Sequence, residues 1–286
     1  MKLKKIAVLL TCHNRIRLTL KCLNHLYEQD GIDKEFEIQV FLVDDGSTDG
    51  TSAKIAINFP NVILIQGNGS LYWNRGMFTA WEKAIESKQE FDAYLWLNDD
   101  TFLLKNGLDN MVNAAKDTNF ESIICGSIQS PNDTTILTYG GCKLIKKKYQ
   151  INFPNGQLQI ADIINGNCVL VTHEVYLKVG NLDWTFRHAI GDNEYSLRAK
   201  KMQIKSFSTG QFVGVCSNKD GLPKWCRPEI NFIDRIKNLY SPLGSAEPFI
   251  FFKYNLKYFG ILVATKSFLT THIRLIFPKL WLKKAN

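Results

Sequence analysis

Apolar residues in the first 125 positions come in short, nearly unbroken runs: KIAVLLT, EIQVFLVD, NVILIQ, AYLWLN and SIICGS. Between them, segments 15–28, 51–58, 75–87 and 105–116 repeat apolar residues every three or four positions, the period of a helix with one buried face. Short all-apolar strands separated by helices predict a parallel sheet covered on both sides. In such a sheet functional side chains gather at the carboxyl ends of the strands. Thr11, Asp44, Asp45, Asn98, Asp99 and Asp100 all fall at predicted strand ends.

From 126 to about 220 the alternation loosens into the hairpin-like TTILTYGGCKLI, a strand NCVLVT and a helix near 191–202. From about 229 the chain reads as two helical stretches, PEINFIDRIKNLY and the region after Pro248. The expected organisation is an α/β body over 1–225, with halves 1–125 and 126–225, followed by a helical extension over 226–286. No linker rich in Gly, Ser or Pro and no internal repeat divides it further.

Charge changes the picture of the extension. The chain of 286 residues has a net charge of +8, and after Glu247 there is no acidic residue. Lys253, Lys257, Lys266, Arg274, Lys279, Lys283 and Lys284 follow, seven of the eight excess charges. Interleaved with Phe, Tyr, Leu and Trp, they make this a basic amphipathic segment suited to lying on an anionic membrane surface. The nearly neutral body, with no nucleic-acid motif, points away from nucleic acid. No stretch has the roughly 20 apolar residues of a membrane span. The apolar core of the amino terminus, Ile6 to Leu10, is too short for a secretory signal and runs into His13, Asn14 and Arg15. Seven cysteines without a C-x-x-C pair read as buried thiols rather than a disulfide or zinc framework. The expected location is cytoplasmic and peripheral to the membrane.

Two carboxylates side by side, as at Asp44 and Asp45, repel each other unless a cation or hydrogen-bond donors intervene. Such a pair is either satisfied within a turn or set to meet a ligand. Asn98-Asp99-Asp100 is a second cluster at the same predicted edge, and paired strand-end carboxylates suit a hard divalent cation bridging a diphosphate. The Gly-rich stretch GNGSLYWNRG fails as a dinucleotide fingerprint because Tyr72 holds the third glycine position. No Gly-Lys-Ser/Thr ending marks a P-loop.

LLTCHNR, VFLVDDGSTDGT, NGSLYWNRGMFTA, LWLNDDT and VGNLDWTFRHAIGDNEYSLRAKK, in this order, resemble the family 2 glycosyltransferases over about residues 4–210. The resemblance implies a GT-A fold, with a mostly parallel central sheet flanked by helices, and transfer of a sugar with inversion from a nucleotide-diphosphate donor, UDP- or dTDP-linked. It implies that Asp44 and Asp45 contact the nucleotide, that Thr11 lines the base pocket, and that Asn68, Asn74 and Arg75 lie beneath the nucleotide. The D-x-D metal motif falls on Asn98-Asp99-Asp100, with Asp100 as the contact to Mg²⁺ or Mn²⁺. Asn98 departs from the pattern, as in relatives with deoxysugar donors such as rhamnose. Asp192 falls on the catalytic base, with Gly191 where the family commonly has Glu.

Glu194 is expected to support the site or bind the acceptor, His188 is a further acceptor candidate, and Trp184 is favoured over Trp73 and Trp225 for stacking on an acceptor or donor sugar. The acceptor is expected to be a glycan, lipid-linked in view of the basic tail, in cell-surface polysaccharide synthesis. Two rivals remain at this stage. A sugar-nucleotide pyrophosphorylase wants a Gly-rich basic loop after the first strand, and LLTCHNRIR has no glycine. A non-catalytic binding protein of the same fold would treat Asn98 and Gly191 as marks of decay.

Overall fold

The computed structural model describes residues 3–145, 148–218, 221–244 and 246–282. In chain order the first part comprises β1 (Lys4–Cys12), α1 (Ile16–Tyr27), β2 (Phe36–Asp44), α2 (Thr51–Asn58), β3 (Ile63–Gln66) and α3 (Tyr72–Glu86). It continues through β4 (Ala93–Leu97), β5 (Phe102–Leu103), α4 (Gly107–Asp117) and β6 (Ser122–Gln129). There follow β7 (Leu137–Tyr139), β8 (Cys142–Ile145), β9 (Lys148–Ile151), β10 (Gln159–Ala161), β11 (Cys168–Thr172), α5 (His173–Val179), α6 (Gly191–Lys201) and β12 (Lys205–Val215). A 3-10 turn (Lys224–Cys226) leads to α7 (Phe232–Leu239), α8 (Pro248–Phe259), α9 (Ile261–Ile276) and α10 (Lys279–Leu282).

The main sheet runs β10-β12-β6-β11-β4-β1-β2-β3, with β5 added to β12 and β7 to β6. The parallel run read from the sequence is the β3-β2-β1-β4 segment. Beyond it the sheet is mixed, because β11 lies antiparallel between β4 and β6. An all-apolar run such as CVLVT is buried whichever way it points, so its composition carries no direction.

TTILTYGGCKLI does not close on itself as a hairpin: β7 pairs with β6, and β8 pairs with β9 in a separate two-stranded sheet. Gly141, between them, passes so near the sheet that a Cβ would lie 2.4 Å from Ser208 Oγ.

Strand pleating divides the core. Ile6, Val8 and Leu10 of β1, with Leu95 and Leu97 of β4, face Leu23 and Leu26 of α1 and Met111 of α4. Ala7, Leu9, Tyr94 and Trp96 face Met77 and Trp81 of α3 and Tyr195 of α6. The period of two on strands and of 3.6 on helices thus meets on both sides of one sheet.

The extension is docked on the body. Tyr254 of α8, with Phe251 and Tyr258, packs on Ile163, Phe186, Ile190 and Leu197. Gly260, at φ 84, breaks the stretch after Pro248 into α8 and α9, which then pack on each other. Lys283 and Lys284 of the basic tail lie outside the described residues.

Candidate active site

The register places Cys12 beside Asp44, and Asp44 beside Gln66, so β1, β2 and β3 end at one level. Above that edge lies a chamber of about 470 Å³ bordered by Thr11, His13, Arg15, Asp45, Tyr72, Trp73 and Asn98 through Asp100. A second chamber, about 280 Å³, is bordered by Tyr139, Gly166, Asn167, Asp192 and Asn193. The two share Trp73, Asn98, Asp100 and His188, and so form one cleft.

The adjacent Asp44 and Asp45 are separated by their partners. Asp44 is buried and turns inward, accepting from the Ser47 amide at 2.9 Å and from the Ser52 hydroxyl. Asp45 turns the other way, accepting from the amides of Gly69 at 2.8 Å and of Leu71 and Tyr72 at 2.9 Å each. These amides lie at the amino terminus of α3, where a carboxylate is favoured by the unpaired N–H groups and the helix dipole. The Gly-rich stretch is therefore the wrapping of Asp45. Gly69 holds φ +81, and a Cβ on Gly67 would stand 2.7 Å from Asp45 Oδ1. Only Asp45 of the pair borders the cleft.

At the end of β4 the three polar residues divide their tasks. Asn98 Oδ1 accepts from Trp73 Nε1 at 2.6 Å. Asp99 is buried, with Oδ1 2.8 Å from Arg15 Nη1 and Oδ2 3.3 Å from the Thr19 hydroxyl. Asp100 Oδ2 takes Arg15 Nη2 at 2.6 Å, while its Oδ1 makes no hydrogen bond among the described residues. Burial works against the Arg15 charge, but Asp99 and then Asp100 hold its pKa above the ordinary arginine value. Among the described residues no three His, Cys, Asp or Glu side chains gather into a cage for a metal. A Mg²⁺-like ion needs no cage: one or two carboxylates suffice when waters and substrate phosphates fill the remaining positions. Asp100, with one oxygen uncommitted beside both chambers, fits that requirement.

Asp192 sits in the first turn of α6, its Oδ2 accepting from the Gly166 amide at 2.9 Å and its Oδ1 from the Asn193 amide at 2.8 Å. It keeps some solvent exposure at the cleft, yet the protein packed around it raises its pKa by desolvation, against the lowering effect of those hydrogen bonds. Gly166 is fixed in turn by the Trp73 ring, which a Cβ there would meet at 2.4 Å. Gly191 has a steric cause: a Cβ would lie 1.7 Å from Asn74 Oδ1. Asn74 occupies the place a glutamate side chain would need. It is buried, donates to the carbonyls of Asp183 and Phe186 at 2.9 and 2.7 Å, and borders neither chamber.

Thr11 and His188 border the cleft, as do Asn98, Asp99 and Asp100. Asn68 is exposed and closes a turn onto the Ser70 amide. Arg75 and Trp184 pair with each other, the guanidinium 4.7 Å above the indole ring, and border neither chamber. Among the tryptophans of the described residues, Trp73 is the one that borders the cleft. Glu194 is fully buried and faces the extension, accepting from Lys257 Nζ and the Tyr258 hydroxyl at 2.7 Å each and pairing with Arg198 at 3.0 Å. Arg15 and His13 were not singled out from the sequence, though their position just past a strand end was the available signal. Leu243, from the loop between α7 and α8, also borders the larger chamber. Nothing local in its sequence announced this.

The model of the family described as glycosyl transferase family 2 matches residues 7–192. Among solved structures, the chain is similar to the mannosyltransferase PcManGT from Pyrobaculum calidifontis, in complex with GDP-Man and Mn²⁺, at a TM-score of 0.55 and 17% identity, covering 96% of this chain and 76% of that one. It is also similar to residues 1–349 of TarS from S. aureus, at 0.54 and 14%, covering 89% and 72%. No curated protein gives a significant sequence match. At these identities the structural likeness speaks for the fold, while the family match spans most of the chain and ends on Asp192, at the cleft described above. The chain belongs to glycosyl transferase family 2 and is built on the GT-A fold.

Proposed function

We propose that the protein transfers a sugar from a nucleotide-diphosphate donor to a hydroxyl of a glycan acceptor, with inversion at the anomeric carbon. The observation that carries this reading is the shared wall. Asp100, Asn98 and Trp73 border both chambers, and Asp192 stands in the second. A donor in the larger chamber would lie along Thr11 and Asp45 with its diphosphate toward Asp100. Asp44, Asn68, Asn74 and Arg75 would support that wall. His188 and Trp73 would border the sugar at the junction. The acceptor hydroxyl would enter from the second chamber, where Asp192 takes its proton. As the acceptor oxygen bonds to the anomeric carbon, the bond to the phosphate oxygen breaks on the opposite face, and the nucleoside diphosphate leaves. A divalent cation at Asp100 would supply charge neutralisation for that leaving group.

The test is a panel of UDP-, dTDP- and GDP-sugars with Mg²⁺ or Mn²⁺, followed by thermal shift and by donor hydrolysis. Metal-dependent stabilisation by one nucleotide class, lost in Asp100→Ala, is the expected result. No response to any donor by folded protein would sink the transferase reading in favour of a non-catalytic protein of the same fold.

The acceptor, in this reading, is lipid-linked, and the enzyme works at a membrane surface. No helix among the described residues is long and apolar enough to cross a bilayer. On α9, however, Leu262, Leu269, Ile273 and Ile276 are exposed at helical spacing, and Leu280 continues the stripe. Lys266 and Lys279 are exposed beside them, with no acidic residue after Glu247 to oppose the charge. An apolar stripe with basic flanks matches an anionic bilayer surface. The protein is expected to sediment with phosphatidylglycerol vesicles but not with phosphatidylcholine vesicles, and Leu262→Glu with Ile273→Glu should release it. Equal recovery in the supernatant with both lipids would remove the membrane from the proposal.

A further inference from the structure

The contact between Arg15 and the two β4-end carboxylates is absorbed by none of the roles above. Its guanidinium holds Asp99 with one nitrogen and Asp100 with the other, at 2.8 and 2.6 Å. A fork that grips two carboxylates in this way is a strong, oriented ion pair. The backbone carrying it is pinned. Asn14, at φ 52, receives its hydrogen bonds from and gives them to the turn after β2: its amide donates to Ser47 Oγ at 2.8 Å and its Oδ1 accepts from the Thr48 amide at 2.7 Å. The side chain is not pinned to the same degree. Arg15 and Asp100 both line the larger chamber and a further cavity of about 320 Å³ that also has Lys21, His25 and Cys216 in its wall. Arg15 therefore stands between its two carboxylates and open volume in two cavities. The two carboxylates are not equivalent: Asp99 is held by Thr19 as well, whereas Asp100 has Arg15 as its one side-chain hydrogen-bond partner among the described residues.

We propose that Arg15 is a charge gate on Asp100: it occupies the carboxylate until a nucleoside diphosphate draws the guanidinium away, so that the divalent cation binds well only together with the nucleotide. This rests on the donor reading given above. A cation approaching free enzyme meets a carboxylate already neutralised, with a positive charge beside it. A diphosphate offers the guanidinium a second set of paired oxygens. By linkage, whatever the nucleotide adds to cation affinity the cation adds to nucleotide affinity. The coupling keeps Asp100 from loading metal in the absence of donor.

Mn²⁺ titration followed by electron paramagnetic resonance reads the gate directly, without turnover, on wild type, Arg15→Gln, Arg15→Lys and Asp100→Asn, each alone and with UDP, dTDP or GDP. Arg15→Gln is expected to bind Mn²⁺ about tenfold more tightly than wild type in the absence of nucleotide, and to gain less when nucleotide is added. Arg15→Lys, a point charge that cannot bridge both carboxylates, should fall between them and carries the test if the glutamine variant does not fold. Asp100→Asn should bind Mn²⁺ weakly in every condition. Equal or weaker Mn²⁺ binding by Arg15→Gln and Arg15→Lys, with nucleotide-dependent binding intact, would overturn the gate and leave the donor reading standing. Absence of Mn²⁺ binding in all variants with every nucleotide would overturn both.

Discussion

Asp192→Asn is expected to lower kcat by about 10²–10⁴-fold, the range a positioned general base contributes, while leaving donor-induced thermal stabilisation unchanged. Asparagine has the same shape and keeps one acceptor for the Gly166 or Asn193 amide. It cannot take the acceptor's proton. The same substitution is expected to change stability by less than about 1 kcal/mol, since a lost hydrogen bond is offset by removal of a desolvated charge. The sign follows from linkage. A carboxyl whose folded pKa is raised, as desolvation raises that of Asp192, favours the fold while protonated. That contribution is complete below the unfolded pKa and is lost as pH rises through the folded one. At neutral pH the wild-type carboxylate is therefore a burden that asparagine does not carry. In the proposed reaction the ionised form is the active one, so the acid limb of kcat/KM is expected to lie above the pH at which an ordinary aspartate titrates. Activity within twofold of wild type in Asp192→Asn would remove it as the base.

Glu194→Ala should be the most damaging of the variants discussed for stability. Its carboxylate is fully buried and is met by Arg198, Lys257 and the Tyr258 hydroxyl, so it ties α6 to α8. Removing one member of a buried ion pair costs about 3–5 kcal/mol where the remaining charge is stranded. Here the figure is smaller, about 2–4 kcal/mol. Lys257 is half-exposed and can return to water, and Arg198 keeps the carbonyls of Val179 and Asn181 at 2.6 and 2.9 Å. The expected result is a Tm lower by several degrees, with faster proteolysis in the segment before α8. Glu194→Gln, which keeps two polar contacts without the charge, should fall between. A Tm within a degree of wild type in the alanine variant would show that the extension is held by its apolar contacts alone. Loss of stability with unchanged kcat per folded molecule would also mark Glu194 as an anchor, apart from the acceptor contact read from its place in the motif.

Leu243 gives the extension a second consequence. Leu243, in the loop between α7 and α8, borders the larger chamber, and Glu247 at the end of that loop pairs with Arg187 at 2.7 Å. Arg187, through its carbonyl, receives the Asn74 amide at 3.0 Å. The extension thus contacts the body at Glu194 and, through Glu247, at the loop preceding Asp192.

Sequence by itself determined the alternation of strands and helices through β6, because a run buried on both faces and a helix with one buried face have different periods. It also located the polar clusters at the strand ends, since an apolar run that stops at a carboxylate can stop only where the sheet meets solvent or a site. Tertiary structure decided what composition cannot encode. The direction of β11 depends on its neighbours, and CVLVT is equally apolar either way. The division of labour between Asp44 and Asp45 depends on which backbone amides come within reach, and those belong to residues 47, 69, 71 and 72. The absence of a glutamate at 191 depends on the Asn74 side chain, 117 positions earlier in the chain, filling that volume. Asp100 and Arg15 meet across 85 positions, and Glu194 and Lys257 across 63. In each case local sequence sets which group is offered, and only packing at long range sets which partner it finds.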